Sequence, residues 1–262
     1  MLSYQHAFHA GSLADVHKHA VLAWVIAYLI RKDKPLTYIE THAGRGVYDL
    51  TSNEARKTGE AAGGVLRPEV AGWFDDSHPY ARALAAVRAR LGGNAYPGSP
   101  MIADSLLRAG DVMHLAELHP QEVAALKAAI GRRAHVHKQD GYQMANAVCP
   151  PTPRRGLLLI DPSFEQKAEY DQVPDILSTI HRKWSVGIVM LWYPVLQKGF
   201  HAAMVDRLQA LFPDGVSHRV DFPPVKEGHG MTGSGLFILN PPYGLDEELA
   251  RLSRCFARLT AR

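Results

Sequence analysis

The chain contains very little cysteine and no long uninterrupted apolar run. Its 262 residues include two cysteines, Cys149 and Cys255, which cannot form a disulfide framework or a cysteine-based zinc site, and this suits a reducing compartment. No apolar segment approaches the roughly 20 residues that a membrane-spanning helix requires. The amino-terminal MLSYQHAFHAG also lacks the charged start and the apolar stretch of a signal peptide. We therefore expect a cytoplasmic protein that does not engage a membrane.

A strong charge imbalance is absent as well. The formal net charge is +3, from 29 basic and 26 acidic residues, which is compatible with a nucleic-acid substrate but does not establish one. Apolar residues, by contrast, are plentiful: 47% of the chain is hydrophobic, enough to bury the core of one large domain or of a domain with an insertion. This composition is typical of an ordinary soluble enzyme.

Strand and helix patterns alternate along the chain. The apolar pattern of a strand occurs in seven segments, at 36–40, 111–118, 134–140, 156–162, 185–193, 215–222 and 233–240. Helical patterns occupy 13–32 (capped by Ser12), 120–131, 172–184, 198–211 and 246–259. The alternation predicts a mostly parallel sheet covered on both faces, and the last two strands, joined without a helix, predict an antiparallel hairpin at one edge. The predicted fold is therefore α/β, with the Rossmann-like, seven-stranded sheet of a class I methyltransferase.

One segment does not fit the alternation. Roughly sixty residues separate the loop THAGRG from the second strand, more than one strand-to-strand crossover requires. Residues 49–95 contain glycines and prolines at first and then the helical stretch PYARALAAVRARL. We interpret them as a small helical insertion within a single methyltransferase domain that spans residues 1–262. The insertion is either a substrate-facing lobe or a surface excursion without a role.

The fourth strand ends abruptly in Asp161-Pro162-Ser163-Phe164. This differs by one residue from the [DN]-P-P-[YF] tetrapeptide of amino-group methyltransferases. The N6 atom of adenine is a poor nucleophile because its lone pair is delocalised into the ring. The carboxylate of Asp161 and the carbonyl of Pro162 can accept hydrogen bonds from both N–H groups and aim the lone pair at a methyl sulfonium, while Phe164 stacks on the extruded base. A simple Asp-Pro turn is the alternative, and the position behind a buried strand favours catalysis.

A second tetrapeptide, Asn240-Pro241-Pro242-Tyr243, matches the consensus better. It follows the last strand of the edge hairpin, however, whereas the catalytic tetrapeptide should follow the fourth strand. We interpret it as a turn from a strand into the final helix, with proline supplying a rigid break. Asp161 is therefore the predicted catalytic residue.

The ends of the first three strands predict a cofactor site, because ligands of open α/β sheets bind at the carboxyl ends of strands. The first strand leads into THAGRG, where Gly44 and Gly46 allow a ligand to approach the backbone. The second ends at Glu117, suited to ribose hydroxyls, and the third at Asp140-Gly141, placed to meet an adenine. The phosphate fingerprint G-x-G-x-x-G is incomplete, which favours S-adenosylmethionine over NAD since the former carries no phosphate.

The amino-terminal segment is dense in polar side chains. Six of them fall within the first nineteen residues: Tyr4, His6, His9, His17, Lys18 and His19. Their spacing fits no standard zinc pattern and the one nearby carboxylate is Asp15, so we expect no metal. They form either an exposed, fraying leader or a cap over the cofactor and target base. In such a cap Tyr4 would stack and Lys18 would steer phosphate or the carboxylate of the cofactor.

Several blocks, in order from residue 1 to about 243, resemble the bacterial 23S rRNA adenine-N6-methyltransferase family of the RlmJ type. The blocks are MLSYQHAFHAGSLADVHKH, THAGRG, YPGSP, AELHP, QDGY, IDPSF, LWYP, GMTGSG and NPP. The resemblance implies a class I fold with a helical insertion, S-adenosylmethionine as methyl donor and one adenine of 23S rRNA as acceptor. We further expect a monomer that meets this RNA before ribosome assembly is complete.

The resemblance also assigns residues. It implies catalysis by Asp161, a substrate contact at Tyr4, and His6 and Lys18 in the same motif. The implied cofactor contacts, besides Asp161 itself, are His19, His42, Ser99, Glu117, Asp140 and Gly141. The main departure is Ser163-Phe164, where the family pattern has Pro-Tyr. Phenylalanine can still stack without its hydroxyl, whereas Ser163 removes a rigidifying ring.

Two other function classes fit the same pattern. One is an N-methyltransferase that acts on DNA adenine or on a protein amide, because these acceptors share the tetrapeptide. The other is a non-catalytic RNA-binding protein that has kept the fold. The retained Asp161, Glu117 and glycine loop argue against the second class.

Overall fold

A seven-stranded sheet forms the centre of the fold. The computed structural model describes residues 5–223 and 230–260, so that Tyr4, a predicted substrate contact, lies outside the described residues. The strands are β1 (Thr37–Glu40), β2 (Val47–Asp49), β3 (Ala95–Pro97), β4 (Val112–Ala116), β5 (His135–His137), β6 (Gly156–Ile160), β7 (Ile188–Leu196), β8 (Val216–Asp221) and β9 (Met231–Leu239). The sheet has the order β5-β4-β1-β6-β7-β9-β8, and β2 pairs with β3 in a separate two-stranded ribbon.

The sheet is parallel except for one strand. Strands β5, β4, β1, β6 and β7 are parallel neighbours, whereas β9 runs antiparallel between β7 and β8. The predicted mostly parallel sheet with an antiparallel pair at one edge is thus confirmed. Because the parallel strands share a direction, their carboxyl ends, and the loops that follow them, lie at the same edge of the sheet.

Helices cover both faces. They are α1 (Leu13–Ile30), α2 (Asn53–Thr58), α3 (Glu60–Gly63), α4 (Pro68–Ala71), α5 (Pro79–Leu91), α6 (Ser99–Leu106), α7 (Pro120–Ile130), α8 (Gly141–Val148), α9 (Ala168–Lys183), α10 (His201–Leu211) and α11 (Leu245–Thr260). Side chains of β6 alternate between two cores: Leu157 and Leu159 pack with α1, α5 and α6, and Leu158 and Ile160 pack with α8, α9 and α10. The sheet therefore separates two apolar cores.

The first helix is the central element of one face. Helix α1 is long and apolar enough by length and composition to cross a membrane, but 72% of it is buried inside the protein. Ser12 caps it, accepting a hydrogen bond from the Asp15 backbone N–H, as the sequence predicts. Burial on this scale identifies α1 as a core helix of the sheet domain.

The hydrophobic pattern of the sequence did not predict the shortest helices and strands. The ribbon of β2 and β3 has three residues in each strand, too few to show a period. Strand β5 ends at His137, three residues before the end of the third predicted strand. Asp140, the last residue of that prediction, instead caps α8, and its carboxylate accepts the Gln143 backbone N–H at 2.9 Å. Strand β7 begins at Ile188 and extends to Leu196, beyond the predicted 185–193.

The predicted insertion lies between the two strands of the ribbon. Since β2 and β3 are antiparallel partners, the chain leaves and re-enters the domain at one place, with helices α2 to α5 between. Tyr80, Ala83 and Val87 of α5 are buried in the same core as α1. The insertion thus shares a core with the sheet domain. Its treatment as a subdomain, and a role for it, stay predictions.

We predict that Gly141→Ala destabilises the protein. A Cβ atom at Gly141 would overlap the carbonyl oxygen of Thr41, which follows β1, so α8 could not keep its present distance from the sheet. Forced overpacking of this kind lowers the free energy of unfolding by about 1–3 kcal/mol, measurable by urea denaturation. Gly110→Ala is the control, because nothing lies within 4 Å of a Cβ atom there. Equal midpoints for the two variants would show that α8 can move without cost.

Candidate active site

A buried cluster of charges lies where α1 passes the carboxyl end of β6. Asp161 directly follows β6, and its Oδ2 accepts a hydrogen bond from Lys18 Nζ at 2.6 Å. The same ammonium lies 3.2 Å from Asp15 Oδ1. The side chains of Lys18, Asp15 and Asp161 are 5%, 1% and 12% exposed. One cation is therefore shared by two carboxylates, of which Asp161 alone keeps an opening to solvent.

The electrostatics of this cluster keep Lys18 and Asp15 charged. Burial opposes the charge of Lys18, but the carboxylates of Asp161 and Asp15 outweigh it and raise the lysine pKa. Burial likewise works against the charge of Asp15, yet His6, Lys18 and His19 together hold the pKa of this carboxyl well below its usual value. The ion pair is therefore present throughout the pH range in which an enzyme of this kind is assayed.

The carboxylate of Asp161 has one oxygen in use and one available. Lys18 bonds to Oδ2, whereas Oδ1 accepts no hydrogen bond from the residues that the structure describes. A carboxylate oxygen has two lone pairs and is strongly acceptor in character. Oδ1 can therefore receive an N–H group of a ligand without breaking the contact to Lys18.

Glu40, the last residue of β1, is a second buried carboxyl that the sequence argument did not select. It is fully buried; Oε2 accepts the Tyr38 hydroxyl at 2.8 Å and Oε1 accepts the hydroxyl of Ser99. Burial raises the pKa of Glu40 to about 8, against the two hydrogen bonds, which lower it. Asp161 adds to the increase. The sequence signal that could have identified Glu40 was an acidic residue at the end of an apolar strand. Its partner Ser99 was predicted as a cofactor contact.

The three predicted cofactor strands end side by side, in the order β5, β4, β1. Glu117 follows β4, and its carboxylate accepts the backbone N–H of Gly44 at 2.9 Å and of His119 at 2.8 Å. Gly44 has a positive φ of 60°, which favours glycine. Asp140 lies at the neighbouring end beyond β5. Glu117 thus joins the loop after β1 to the start of α7.

Beside these carboxylates lies His42, in the same loop as Gly44. Its Nδ1 is 2.7 Å from the Thr41 hydroxyl, and its ring meets Tyr142 edge-on at 5.2 Å. Burial lowers the pKa of His42 to about 4, so the imidazole is neutral at physiological pH. Carboxylates at adjacent strand ends suit hydroxyl and amino groups and would repel phosphate. These hydrogen-bond acceptors therefore fit S-adenosylmethionine better than a dinucleotide.

The interpretation of the amino-terminal polar residues as an exposed leader is wrong for those on α1. His17, Lys18 and His19 are all buried within the helix. His19 Nδ1 lies 2.9 Å from the Tyr96 hydroxyl, and burial lowers its pKa to about 3. His6 Nε2 lies 2.9 Å from Asp15 Oδ2, so the segment before α1 joins the charged cluster. A cap formed with Tyr4 stays a prediction.

Phe164, which was predicted to stack on the base, is buried. Its side chain is 6% exposed and packs on Tyr170 with ring centroids 4.5 Å apart, and its φ of 52° is left-handed. Pro162 is buried beside it. Direct stacking of Phe164 on a base stays a prediction and would require Tyr170 to move. Gly141, another predicted contact, has its Cα packed against Thr41.

The second tetrapeptide lies at the other edge of the sheet. Because β9 is antiparallel to β7, Asn240 is close to the beginning of β7 and far from the strand ends that carry Asp161. The Asn240 side chain donates hydrogen bonds to the carbonyls of Ser185 and Gly187 at 2.8 and 2.7 Å. The segment connects β9 to α11, which confirms its prediction as a turn.

Metal ligands do not assemble in the described part of the chain. Across residues 5–223 and 230–260, no group of three or more His, Cys, Asp or Glu side chains is arranged to hold a metal ion.

Comparisons with known proteins point to one family. A family model described as "Ribosomal RNA large subunit methyltransferase D, RlmJ" matches residues 33–261. Two proteins named ribosomal RNA large subunit methyltransferase J are similar: that of Escherichia coli is 38% identical over 95% of this chain and 90% of its own, and that of Haemophilus influenzae is 35% identical over 96% and 92%.

Solved structures agree. A crystal structure of a Legionella pneumophila protein aligns with a TM-score of 0.85 and 34% identity, covering 96% of this chain and 94% of that one. A probable spermidine synthase from Corynebacterium glutamicum, 10% identical with a TM-score of 0.54, covers 92% of this chain and 71% of its own and shares the fold alone.

We predict that Glu40→Gln removes a pH dependence of stability. The pKa of Glu40 rises from its usual 4.5 to about 8 on folding, so the folded protein binds this proton more tightly than the unfolded chain does. The corresponding stability is complete below pH 4.5 and is lost as the pH rises to about 8. Glutamine keeps the shape without the ionisation. The melting temperature of Glu40→Gln, relative to the parent, should therefore rise between pH 6 and pH 9.

Asp49→Asn provides the control for this measurement. Hydrogen bonds to Thr51 lower the pKa of this exposed carboxyl, so it stays ionised above pH 6 and its effect should not vary there. A constant difference for Glu40→Gln over the same pH range would mean that Glu40 is already ionised in the fold.

Proposed function

The chain belongs to the RlmJ family of ribosomal RNA large subunit methyltransferases, and from this premise we propose that it methylates the N6 atom of one adenine in 23S rRNA. Methyl transfer from S-adenosylmethionine to large-subunit rRNA is the activity of the family. The choice of an exocyclic amino group rests on one observation: Asp161 stands at the end of β6 with Oδ2 held by Lys18 and Oδ1 open.

Asp161 would act by orienting the nitrogen. An amino group conjugated with its ring has little nucleophilic character. If Asp161 Oδ1 accepts one N–H group and the carbonyl of Pro162 accepts the other, the lone pair is aimed out of the plane of the base. S-adenosylmethionine, when bound, supplies an electrophilic methyl group on its sulfonium. The nitrogen would form a bond to this methyl carbon as the methyl–sulfur bond breaks and its electron pair stays on sulfur, with S-adenosylhomocysteine as the leaving group. The surplus proton of the nitrogen would pass to Asp161 Oδ1 and on to solvent.

Lys18 would hold the carboxylate ready. Its ammonium lies 2.6 Å from Asp161 Oδ2 and stays charged, so Asp161 is fixed in place before the substrate arrives. Preorganised charge of this kind costs no rearrangement during the reaction. Lys18 itself has no vacant lone pair and cannot serve as the base. We therefore assign it to positioning and not to proton transfer.

The cofactor would bind at the ends of β5, β4 and β1. Glu117 is suited to the ribose hydroxyls and Asp140 to the adenine, with Gly44 allowing a close approach of the backbone. Since the carboxylate of Glu117 also receives the Gly44 N–H, the loop and the ribose contact are ordered together. Asp161, on the neighbouring β6, would face the methyl group.

The setting of the reaction follows from the geometry that the substrate needs. An adenine must leave its stack to reach a carboxylate situated between α1 and β6, and unpaired or unassembled RNA makes this easier. We infer that the protein acts as a monomer in the cytoplasm, on 23S rRNA before assembly is complete.

We predict that Asp161→Ala abolishes methyl transfer, with a loss of at least about 10²–10³ in kcat. The assay incubates parent and variant with labelled S-adenosylmethionine and 23S rRNA, DNA or protein, and digestion followed by mass spectrometry identifies the methylated product. N6-methyladenosine in rRNA alone is expected for the parent. Product in DNA or on a protein amide would replace the proposed substrate, and RNA binding without any product would indicate a non-catalytic protein.

Asn240→Ala is the matched control, since Asn240 lies in the other tetrapeptide. It should lose stability, because two carbonyls lose their donor, but keep its turnover when assayed well below its melting temperature. Loss of turnover in Asn240→Ala with retention in Asp161→Ala would reassign the catalytic residue.

We also predict that Glu117→Ala weakens the binding of S-adenosylmethionine more than the binding of rRNA. Charge-assisted hydrogen bonds to hydroxyl groups contribute on the order of 1.5–3 kcal/mol, so calorimetry should show the cofactor affinity falling about 10- to 150-fold. Glu122→Gln is the control: this carboxylate pairs with Arg45 of the same loop at 2.6 Å and has no assigned ligand. Equal losses in both variants would assign Glu117 to loop structure alone.

A further inference from the structure

Trp192 of β7 borders the proposed catalytic carboxylate. Ile160 of β6 is opposite Leu191 of β7, so the next residues along these parallel strands, Asp161 and Trp192, are also neighbours. Lys18 Nζ lies 5.5 Å from the centroid of the Trp192 ring. Trp192 is partly exposed although the residues on either side of it in β7 are buried. The indole therefore keeps part of its surface exposed beside Asp161, and the Lys18 ammonium lies over one of its two faces.

A chain of hydrogen bonds anchors the indole. Trp192 Nε1 donates to Ser234 Oγ at 2.9 Å, and Ser234 Oγ lies 2.8 Å from His17 Nδ1. His17 Nε2 is 2.9 Å from His218 Nδ1, and His218 Nε2 is 2.8 Å from Ser253 Oγ. Strands β7, β9 and β8 and helices α1 and α11 each contribute one residue. Five elements thus converge on the orientation of one ring.

The chemistry of the groups gives the chain a direction. An indole nitrogen can only donate, so Ser234 Oγ accepts from Trp192. With the Ser234 hydroxyl hydrogen directed to His17 Nδ1, every later bond of the chain has one donor and one acceptor. Burial lowers the pKa of His17 and of His218, so each imidazole is neutral and carries a single proton. His17 then donates through Nε2 to His218, and His218 donates through Nε2 to Ser253. Buried polar groups are costly unless satisfied, and this chain satisfies all of them.

We propose that Trp192 is the aromatic surface on which the acceptor adenine stacks while Asp161 holds its amino group. This inference rests on the proposed function and adds the residue that binds the base. Phe164, the residue of the tetrapeptide expected to stack, is 6% exposed beneath Tyr170. Trp192 is partly exposed, adjacent to Asp161, and fixed in orientation by its hydrogen bond to Ser234. A purine has a π surface that stacks well on an indole, whatever holds its edge.

Ser234 and His17 are positioning residues in this proposal. They touch neither base nor cofactor, and act by holding the indole edge through Ser234 Oγ. Loss of the anchor should let the ring rotate and so weaken base binding without altering the cofactor site.

The test measures steady-state kinetics with 23S rRNA and calorimetry with S-adenosylmethionine. Trp192→Leu should raise the KM for rRNA or lower kcat/KM roughly 5- to 150-fold, the range that corresponds to one base–aromatic stack, with unchanged cofactor affinity. Trp192→Phe keeps an aromatic face but loses the Nε1 anchor, so it should recover part of the loss, to about the level of Ser234→Ala. Trp24→Leu removes another partly exposed indole, which stacks on Tyr28 5.9 Å away, and should match the parent.

A double-mutant cycle tests the anchor. Ser234→Ala should lower kcat/KM for rRNA in the parent and have no further effect in Trp192→Leu, because the ring it orients is gone. Additive effects would overturn the positioning role, as would equal loss of cofactor affinity. A parent-like Trp192→Leu overturns the stacking role. Failure of the proposed function is separate, since the parent would then form no N6-methyladenosine at all.

Discussion

The ion pair between Lys18 and Asp161 is the interaction on which the rest of the site depends. It joins the core helix α1 to the end of β6 across 2.6 Å, in surroundings that are nearly closed to water. Removing one partner of a buried pair leaves the other charge uncompensated, at a cost of about 3–5 kcal/mol. Asp15 shares the ammonium, and through its Oδ2 it also receives the Gly11 backbone N–H and lies beside His6. The amino-terminal segment is thereby joined to Asp161, the proposed catalytic carboxylate, through the ammonium of Lys18.

Asp161 and Glu40 are neighbouring carboxyls that are largely shielded from solvent, and they are stabilised in two different ways. Asp161 must be an ionised acceptor to orient an amino group, and the ammonium of Lys18 compensates its charge. Glu40, one strand away, has hydroxyl partners in Tyr38 and Ser99 and no such cation in contact, and burial raises its pKa to about 8. A neutral Glu40 spares the site a further negative charge beside those of Asp161 and Asp15. The ammonium of Lys18 is then shared by Asp161 and Asp15 alone, because the neighbouring carboxyl of Glu40 is protonated at neutral pH.

The sequence predicted the sheet and its edges well, because periodicity and strand ends are local properties. The end of β6 at Asp161 and the end of β4 before Glu117 follow from apolar runs alone. Burial of His17 and Lys18 was not predictable in this way, since their partners, Ser234 and Asp161, lie 217 and 143 residues away. Polar residues on an apolar helix give the same sequence pattern whether they are exposed to solvent or line a buried site. The enclosure of Phe164 likewise depends on Tyr170, whose helix packs back over the loop.

The tetrapeptide 161–164 has contacts on both faces of the sheet. These contacts are relevant to its departure from the family pattern, which has Pro-Tyr where this chain has Ser163-Phe164. Asp161 points to the α1 face, where Lys18 binds it, whereas Phe164 enters the apolar core on the opposite face against Tyr170. A proline at position 163 would restrict the backbone between them. With Ser163 there, the segment is held by the charged contact of Asp161 to Lys18 and the apolar contact of Phe164 to Tyr170. Because Phe164 is packed into the apolar core, the aromatic surface that we propose for the base is Trp192, the neighbour of Asp161 across β6 and β7.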